Sequence, residues 1–279
     1  CIINPVGSLY NIKTVVCQFK IYTLPVKNAI VFLMSDIDLS IIVPCYNCEK
    51  TIDEAITSIF DQNIKYNVEV ILVNDGSTDS TKSKLNQLQK QYPIIKILHN
   101  SKNYGGGFTR NKGFKHSVGR YVMFFDSDNI METETINKFI HFLDNNNCDC
   151  AHYNYFKRFS KTKDHYKLKT FEHNYPTINH YFTHMNWIDN PVFKRKSFEK
   201  IKGYPEHHHF DSQGLWAQIL AQNLNLQVAP NTTLYHRFFS TNISYYERAH
   251  MLGHGELNQY FLIENFFHVL SDDIIKFIF

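Results

Sequence analysis

The sequence predicts an α/β protein with a doubly wound, mostly parallel sheet and helices on both faces. Apolar runs typical of buried strands alternate four times with helix-like segments between residues 39 and 125. This alternation is typical of parallel sheets whose crossover connections are helical. Polar residues follow three of the predicted strands, at the edge where open α/β sheets bind ligands. The sequence therefore places a binding crevice along that edge.

The individual elements follow from periodicity and from breakers. The first strand stops at Pro44, and apolar residues then recur at helical spacing. Thr78 is a candidate cap of the second helix. The triple glycine starting at Gly105 opens a third helix, which runs through Val118 and is closed by Gly119. The predicted strands are 39–43, 68–73, 94–98 and 121–125, and the first helix is 51–62.

Asp126 and Asp128 are separated by one residue and directly follow the apolar strand Tyr121–Phe125. Two carboxylates so placed can bind a hard divalent cation, with a diphosphate supplying further oxygen ligands. A solvated Asp-Ser-Asp turn is the alternative, because both residue types favour turns. The pattern alone leaves both interpretations open.

Four motifs in order resemble one known family. They are Leu-Ser-Ile-Ile-Val-Pro-Cys-Tyr-Asn from residue 39, Val-Asn-Asp-Gly-Ser-Thr-Asp from residue 73, the 103–113 segment with Arg-Asn-Lys-Gly, and Gly-Arg-Tyr-Val-Met-Phe-Phe-Asp-Ser-Asp from residue 119. Together they closely resemble the family 2 glycosyltransferases, which have the GT-A fold. The resemblance is strong over about 38–145 and weaker to about 245.

The resemblance implies a nucleotide site. Asp75 would accept a hydrogen bond from uracil N3–H, which suits a carboxylate because it is only an acceptor. Arg110 would face the nucleotide, and Asp126 would contact the ribose or the metal. Alternatively, Asp75 shapes an Asp-Gly turn, Arg110 is an exposed helix residue, and the triple glycine is a mobile loop. Gly106, Gly107 and Thr109 depart slightly from the family pattern. The other predicted nucleotide-binding residues are Pro44, Tyr46, Asn47, Asn103 and Gly105.

The resemblance also implies a cation and a catalytic base. Asp128 would be the direct ligand of Mn²⁺ or Mg²⁺, with Asp126 and His236 as further candidates; His236 or Arg237 would approach the diphosphate. The base is Asp211, five residues before Trp216, although Ser212 stands where many members have the acid. Asp211 is equally a candidate N-cap for a helix over 212–223. The tract His207–His209 is interpreted as a polar loop.

The implied reaction is an inverting transfer of a sugar from a nucleotide-diphosphate donor, most simply a UDP-sugar. The acceptor would be a hydroxyl of a glycan or lipid-linked molecule in surface polysaccharide, lipopolysaccharide or capsule biosynthesis. A catalytically decayed nucleotide-sugar-binding protein is one alternative. A sugar-phosphate nucleotidyltransferase is another, but that class needs a glycine-rich basic loop where Pro44-Cys-Tyr-Asn47 stands.

Composition narrows the partners and the location. A net charge of +3 argues against a nucleic-acid binder. Cys45-x-x-Cys48 and Cys148-x-Cys150 have zinc-like spacing, but six cysteines in 279 residues fit reduced cytosolic thiols. We expect a cytoplasmic protein, and a basic cluster could seat it peripherally on the inner face of an anionic membrane. The cluster comprises Lys157, Arg158, Lys161, Lys163, Lys167 and Lys169. The sequence gives no indication of oligomeric state.

The domain organisation is expected to have three parts. Residues 1–33 precede the first family strand, show no clear period and are interpreted as a non-native or poorly ordered extension. Residues 34–245 form the GT-A domain, with a nucleotide-binding half at 34–130 and an acceptor half at 131–245. Residues 246–279 form a small helical tail rich in phenylalanine, which is expected to pack on the core.

Overall fold

The computed structural model describes residues 36–159, 167–170, 190–206 and 211–237. The chain divides after Asp36, and the fold described below belongs to the unit that begins at Ile37. The expected extension at 1–33, the tail at 246–279 and the tract His207–His209 lie outside the described residues, so their predictions stay predictions. The side chains of the basic cluster also lie outside them.

The helices and strands alternate in the first half of the unit, as predicted. The strands are β1 (Leu39–Cys45), β2 (Val68–Asn74), β3 (Ile95–His99), β4 (Tyr121–Phe124), β5 (Ile130–Met131), β6 (Cys150–Phe159), β7 (Lys167–Thr170), β8 (Val192–Lys194) and β9 (Leu226–Arg237). The helices are α1 (Ile52–Phe60), α2 (Thr81–Gln91), α3 (Gly106–Lys115), α4 (Thr135–Asn145), α5 (Arg195–Phe198) and α6 (Asp211–Ala221).

Within the described residues the strands form one sheet in the order β3-β2-β1-β4-β8-β6-β9-β5, with β7 beside β6. The pairs among β3, β2, β1 and β4 are parallel, which confirms the predicted α/β sheet. The second half is mixed, because β8 pairs antiparallel with both β4 and β6 while β6 pairs parallel with β9. Buried strands read as similar apolar runs in either direction, so the sequence did not reveal this change.

The core lies on both faces of the central strands β1 and β4. Leu39, Ile41, Ile42 and Val43 are fully buried, and α1 adds Ile52, Ala55, Ile56 and Ile59 to the same core. Burying each large aliphatic side chain contributes about 1.5–3 kcal/mol relative to exposure. Phe124 lies at the centre of an aromatic cluster, with ring centroids 5.0 Å from Phe198 and 4.9 Å from Tyr204. The cluster packs β4 against the chain segment that precedes α6.

Three local predictions were wrong. Pro44 does not end β1, which continues to Cys45. The carbonyl of Ile42 accepts from Phe125 N–H at 2.9 Å, so the backbone of Ile42 faces β4, and that of Pro44, two residues later, faces the same side. Because β4 ends at Phe124, no strand lies opposite Pro44 on that side, and its missing N–H breaks no hydrogen bond of the sheet. Thr78 does not cap α2, which begins at Thr81; the N–H of Thr78 instead donates to Asn47 Oδ1 at 2.9 Å. The third helix ends at Lys115 and leaves Val118 exposed.

No helix in the described part of the chain combines the length and apolarity needed to cross a membrane.

Candidate active site

A cavity of about 250 Å³ opens at the carboxyl ends of β1, β2 and β4. It contains seven of the eight predicted nucleotide-binding residues, and Asn47 is the exception. The lining residues are Pro44, Cys45, Tyr46, Asp75, Asn103, Gly105, Gly106, Thr109, Arg110, Asp126 and Ser127. The carboxyl ends of parallel strands meet at one edge, so residues far apart in sequence converge there.

Asn47 supports the rim of the cavity from outside. Its backbone is left-handed at φ 47°, and its Oδ1 accepts from the N–H of Thr78 at 2.9 Å. Its own N–H donates to Ser77 Oγ at 3.1 Å. Asn47 thus joins the loop after β1 to the loop after β2, and the structure gives it a loop-bridging contact.

Asp75 is buried beneath the cavity and holds the loop before α3. Its Oδ1 accepts from Asn100 Nδ2 at 2.7 Å and from Tyr104 N–H at 3.0 Å, while Oδ2 accepts from Gly105 N–H at 2.9 Å. Asn100 Nδ2 also lies 3.2 Å from Thr109 Oγ1. A carboxylate oxygen has two lone pairs, so Oδ2 can still accept a second donor from the cavity. The alternative turn role and the predicted acceptor role are therefore compatible.

Arg110 bridges two of the predicted functional carboxylates. One guanidinium nitrogen donates to Asp126 Oδ1 at 2.6 Å, and the other donates to Asp211 Oδ2. Its guanidinium carbon lies 5.1 Å from the Tyr204 ring centroid, within cation–π range. Arg110 is thus not the exposed helix residue of the alternative interpretation. It connects the end of β4 to the first turn of α6.

The charged groups in this cluster shift one another's pKa values. Burial alone lowers the pKa of Arg110, but the carboxylates of Asp211 and Asp126 outweigh burial and raise it. Burial raises the pKa of Asp211, which the positive charge of Arg110 opposes and the negative charge of Asp126 reinforces. Asp211 therefore remains a stronger proton acceptor than an ordinary surface aspartate.

The two glycines that depart from the family pattern let α3 approach the chain before α6. A Cβ at Gly107 would lie 1.9 Å from the carbonyl oxygen of Pro205, and one at Gly106 would lie 2.7 Å from Asp211 Oδ2. Real Cβ atoms do not come so close to a backbone oxygen, so only glycine fits at position 107. Gly106 and Gly107 form the start of α3, so the structure places them in a helix and not in a loop. The departure from the pattern is therefore explained by packing.

Asn111 and Gln218 clamp the segment around Tyr204. Asn111 Oδ1 accepts from Tyr204 N–H at 2.9 Å, and its Nδ2 donates to the Tyr204 carbonyl at 2.8 Å. Gln218 of α6 donates to the Gly203 carbonyl at 2.6 Å. Apart from the presence of amide side chains, no local pattern indicates these contacts.

Asp128 is half-buried in a charged environment at the far side of the Asp-Ser-Asp turn. Burial and the negative charge of Asp126 raise the pKa of Asp128 to about 6, and His236 and Arg237 act in the opposite direction. Arg237 Nε donates to the Asp128 carbonyl at 3.0 Å. The predicted contributors Asp126, Asp128 and His236 therefore come from one neighbourhood. In the described ranges, however, no three His, Cys, Asp or Glu side chains are arranged as a metal site.

The described cysteines are free thiols inside the unit: Cys45, Cys48, Cys148 and Cys150 are all buried. Burial raises the pKa of Cys45 well above its usual range. Cys45 lines the cavity as a small apolar wall.

This sheet order, with a cavity and acidic residues at the carboxyl edge, defines a GT-A-type α/β fold. The model of the family described as Glycosyl transferase family 2 matches residues 40–210, which is more than half of the chain. The chain therefore belongs to glycosyl transferase family 2.

Curated relatives include enzymes of cell-surface polymer synthesis. A poly(ribitol-phosphate) beta-glucosyltransferase of Bacillus spizizenii is 36% identical over 40% of this chain and 18% of its own length. WfaP of Escherichia coli, a UDP-Glc:alpha-D-GlcNAc-diphosphoundecaprenol beta-1,3-glucosyltransferase, is 29% identical over 74% of this chain and 79% of its own length. The chain thus spans about a fifth of the length of the Bacillus spizizenii enzyme.

Solved structures agree in fold. TarS residues 1–349 from S. aureus, in complex with UDP-GlcNAc, has a TM-score of 0.61 at 23% identity, over 73% of this chain and 59% of that one. The mannosyltransferase PcManGT from Pyrobaculum calidifontis, in complex with GDP-Man and Mn²⁺, has a TM-score of 0.59 at 18% identity, over 78% of this chain and 63% of that one. At these identities the likeness establishes the fold alone.

Proposed function

We propose that this chain is an inverting glycosyltransferase that moves a sugar from a UDP-sugar to a hydroxyl of a glycan or lipid-linked acceptor. The observation that carries the proposal is the cavity at the strand ends, where Asp75, Arg110 and Asp126 meet, with Asp211 paired to Arg110. The family supplies the reaction class. In this arrangement Asp75 offers a hydrogen-bond acceptor for the nucleobase, Arg110 a positive charge for the phosphates, and Asp211 an acceptor for the hydroxyl proton.

The nucleotide would enter from the open side of the cavity. Tyr46 is exposed at its rim and offers an aromatic face to a base. The second lone pair of Asp75 Oδ2 would accept from uracil N3–H. Arg110 would meet the diphosphate, because guanidinium groups bind phosphate oxygens in a fork. UDP-GlcNAc in the TarS complex supports the choice of a UDP-sugar, whereas GDP-Man in PcManGT shows that the fold accepts another nucleotide.

The carboxylates of Asp126 and Asp128 fit a Mn²⁺ or Mg²⁺ ion. Both groups are hard oxygen donors, and the pKa of Asp128 is raised by burial and by the negative charge of Asp126, both of which a bound cation would offset. Since the described protein side chains form no complete site, the diphosphate would supply the remaining ligands. When bound, the cation would neutralise charge that develops on the leaving diphosphate. His236, on β9, would approach the diphosphate.

Asp211 would act as the general base. The acceptor oxygen forms a bond to the anomeric carbon while the bond to the diphosphate oxygen breaks on the opposite face, which inverts the configuration. The hydroxyl proton passes to the Asp211 carboxylate, whose raised pKa favours proton uptake. Arg110 holds this carboxylate in place, and a phosphate that draws on Arg110 would release it for the acceptor.

The acceptor is assigned by chemical class only. The names of the Bacillus and E. coli relatives point to a polymer or diphosphoundecaprenol-linked glycan in a cell-surface pathway, and we propose the same class here. Such acceptors lie at the membrane, so peripheral contact on the cytoplasmic face would follow. Lipopolysaccharide and capsule are two settings for this chemistry.

The test separates donor binding from turnover. UDP is titrated calorimetrically with Mn²⁺ and then with a chelator, using wild type, Asp128→Ala, Asp211→Asn and the exposed control Asp61→Ala. We expect Asp128→Ala to lower UDP affinity in Mn²⁺ by at least about tenfold, because the lost carboxylate is a metal ligand. Asp211→Asn should retain UDP binding and lower turnover of a UDP-sugar by about 10²–10⁴-fold.

Two results would count against the proposal. Wild-type turnover by Asp211→Asn would remove the base assignment. UDP binding without turnover by the wild type, across a donor and acceptor screen, would favour the alternative of a decayed nucleotide-sugar-binding protein. Asp61→Ala should match the wild type in both measurements.

A further inference from the structure

Asn190 is brought to the site by the pairing of β8 with β4. Val192 pairs with Met123, and the two strands run antiparallel. Asn190 precedes Val192 by two residues, so it lies opposite the end of β4, next to the start of the Asp-Ser-Asp turn. Nothing in the local sequence marks this position, since it depends on a register between segments about 65 residues apart.

Both ends of the Asn190 amide contact the same aspartate. Oδ1 accepts from the backbone N–H of Asp126 at 3.0 Å, and Nδ2 donates to Asp126 Oδ2 at 3.3 Å. The other carboxylate oxygen of Asp126, Oδ1, accepts from Arg110. Asn190 is only 4% exposed. Asn129 Nδ2 also donates to Asp126 Oδ2, at 3.4 Å. The carboxylate of Asp126 is thus held by two buried amides at Oδ2 and by the Arg110 guanidinium at Oδ1.

The backbone of Asn190 is held in an uncommon conformation. Its φ is 64°, in the left-handed region, although Pro191 follows and restricts its conformation further. Asparagine and glycine tolerate this region better than other residues. Such strain persists only where surrounding structure fixes it, and it concentrates at functional sites.

We propose that Asn190 is a positioning residue that fixes the orientation of Asp126 for the nucleotide and its cation. The inference rests on the proposed function of Asp126. With the Asn190 amide removed, Asp126 would keep its charge, its contact with Arg110 and the 3.4 Å contact from Asn129 Nδ2 to Oδ2. It would lose the Asn190 donor to Oδ2 and the acceptor that holds its own backbone N–H. The expected consequence is weaker metal-dependent nucleotide binding in a chain that remains folded.

The test compares Asn190→Gly with Asn223→Gly. Both replace an asparagine with positive φ, 64° and 49°, by the residue that best tolerates it, but Asn223 is an exposed turn residue. UDP affinity is measured calorimetrically with Mn²⁺ and with a chelator, and melting temperature is recorded alongside. Asn190→Gly should lower UDP affinity about tenfold in Mn²⁺ and leave the chelated value unchanged, as expected for one lost hydrogen bond to a charged group. Asn223→Gly should match the wild type.

A second variant keeps the test decisive if Asn190→Gly unfolds. Asn190→Asp preserves size and the acceptor for Asp126 N–H, but it places a like charge where a donor stood, so its loss in Mn²⁺ should be at least as large. Wild-type affinity in the folded variant, or an equal loss with and without Mn²⁺, would overturn the positioning role alone. A wild type that binds neither Mn²⁺ nor UDP would overturn the proposed function, and this inference with it.

Discussion

Replacing Arg110 by methionine should destabilise the chain strongly, because it removes the shared partner of Asp126 and Asp211. The Arg110 side chain is 13% exposed, so its partners are left with little solvent compensation. Removing one member of a buried pair typically destabilises by about 3–5 kcal/mol. At about 2–4 °C per kcal/mol for a unit of this size, a loss near 3 kcal/mol lowers the melting temperature by about 6–12 °C.

The chain contains a matched control. Arg120 also bridges two aspartates, Asp38 and Asp144, and also lies over a tyrosine ring, at 4.5 Å from the Tyr121 centroid. Its side chain is 44% exposed, and such surface pairs contribute about 0–1 kcal/mol. With two such pairs the loss is at most about 2 kcal/mol, so Arg120→Met should lower the melting temperature by less than Arg110→Met does, and by at most about 4–8 °C, in the same calorimetric or fluorimetric assay.

The loss of stability in Arg110→Met should depend on pH, in a direction set by the pKa of Asp211. Burial raises the folded-state pKa of Asp211, so its ionised form disfavours folding as pH rises above the ordinary aspartate pKa, and protonation relieves this at low pH. Without Arg110 the opposing charge is gone, so the deficit of Arg110→Met should be larger at about pH 8 than at about pH 5. Equal deficits for the two arginine variants, or a deficit that grows on acidification, would refute this reasoning.

Three further outcomes are expected. Gly107→Ala should lower the melting temperature by several degrees because its Cβ would overlap the Pro205 carbonyl. Lys115→Ala, at an exposed position of the same helix, should change it little, and equal melting curves for the two variants would contradict the packing. Asp75→Asn should weaken UDP binding at least about tenfold in calorimetry, since its amide would face the N–H groups of Tyr104 and Gly105, and unchanged affinity would exclude Asp75 from the site. Asn111→Ala should expose the segment around Tyr204 to faster amide hydrogen exchange, and unchanged protection would show that Gln218 holds that segment alone.

The sequence was informative wherever a site residue directly follows a strand. Asp75 and Asp126 stand at the ends of β2 and β4, and the apolar runs before them are unambiguous. Because parallel strands end at one edge, position along the chain predicts proximity in space for these residues. The cavity therefore brought together most of the residues that the motifs indicated.

The contacts that cross from the first half of the chain to the second could not be read from local pattern. Arg110 and Asp211 are 101 positions apart, and their pairing depends on how α6 packs against α3. Asn190 depends on the register of β8, and Gly107 on the path of the chain at Pro205. Each is a tertiary relation between residues that have common local roles, so single-sequence reasoning had no signal for it.

The double pairing of Arg110 has a thermodynamic consequence. Under the proposed function, a donor phosphate that competes for this guanidinium would change the state of Asp211, and therefore the affinity for the acceptor. Linkage requires the reverse effect to have the same magnitude. One side chain would thus make donor and acceptor binding energetically interdependent, so that the binding free energies of donor and acceptor measured separately should not sum to the value measured for both together.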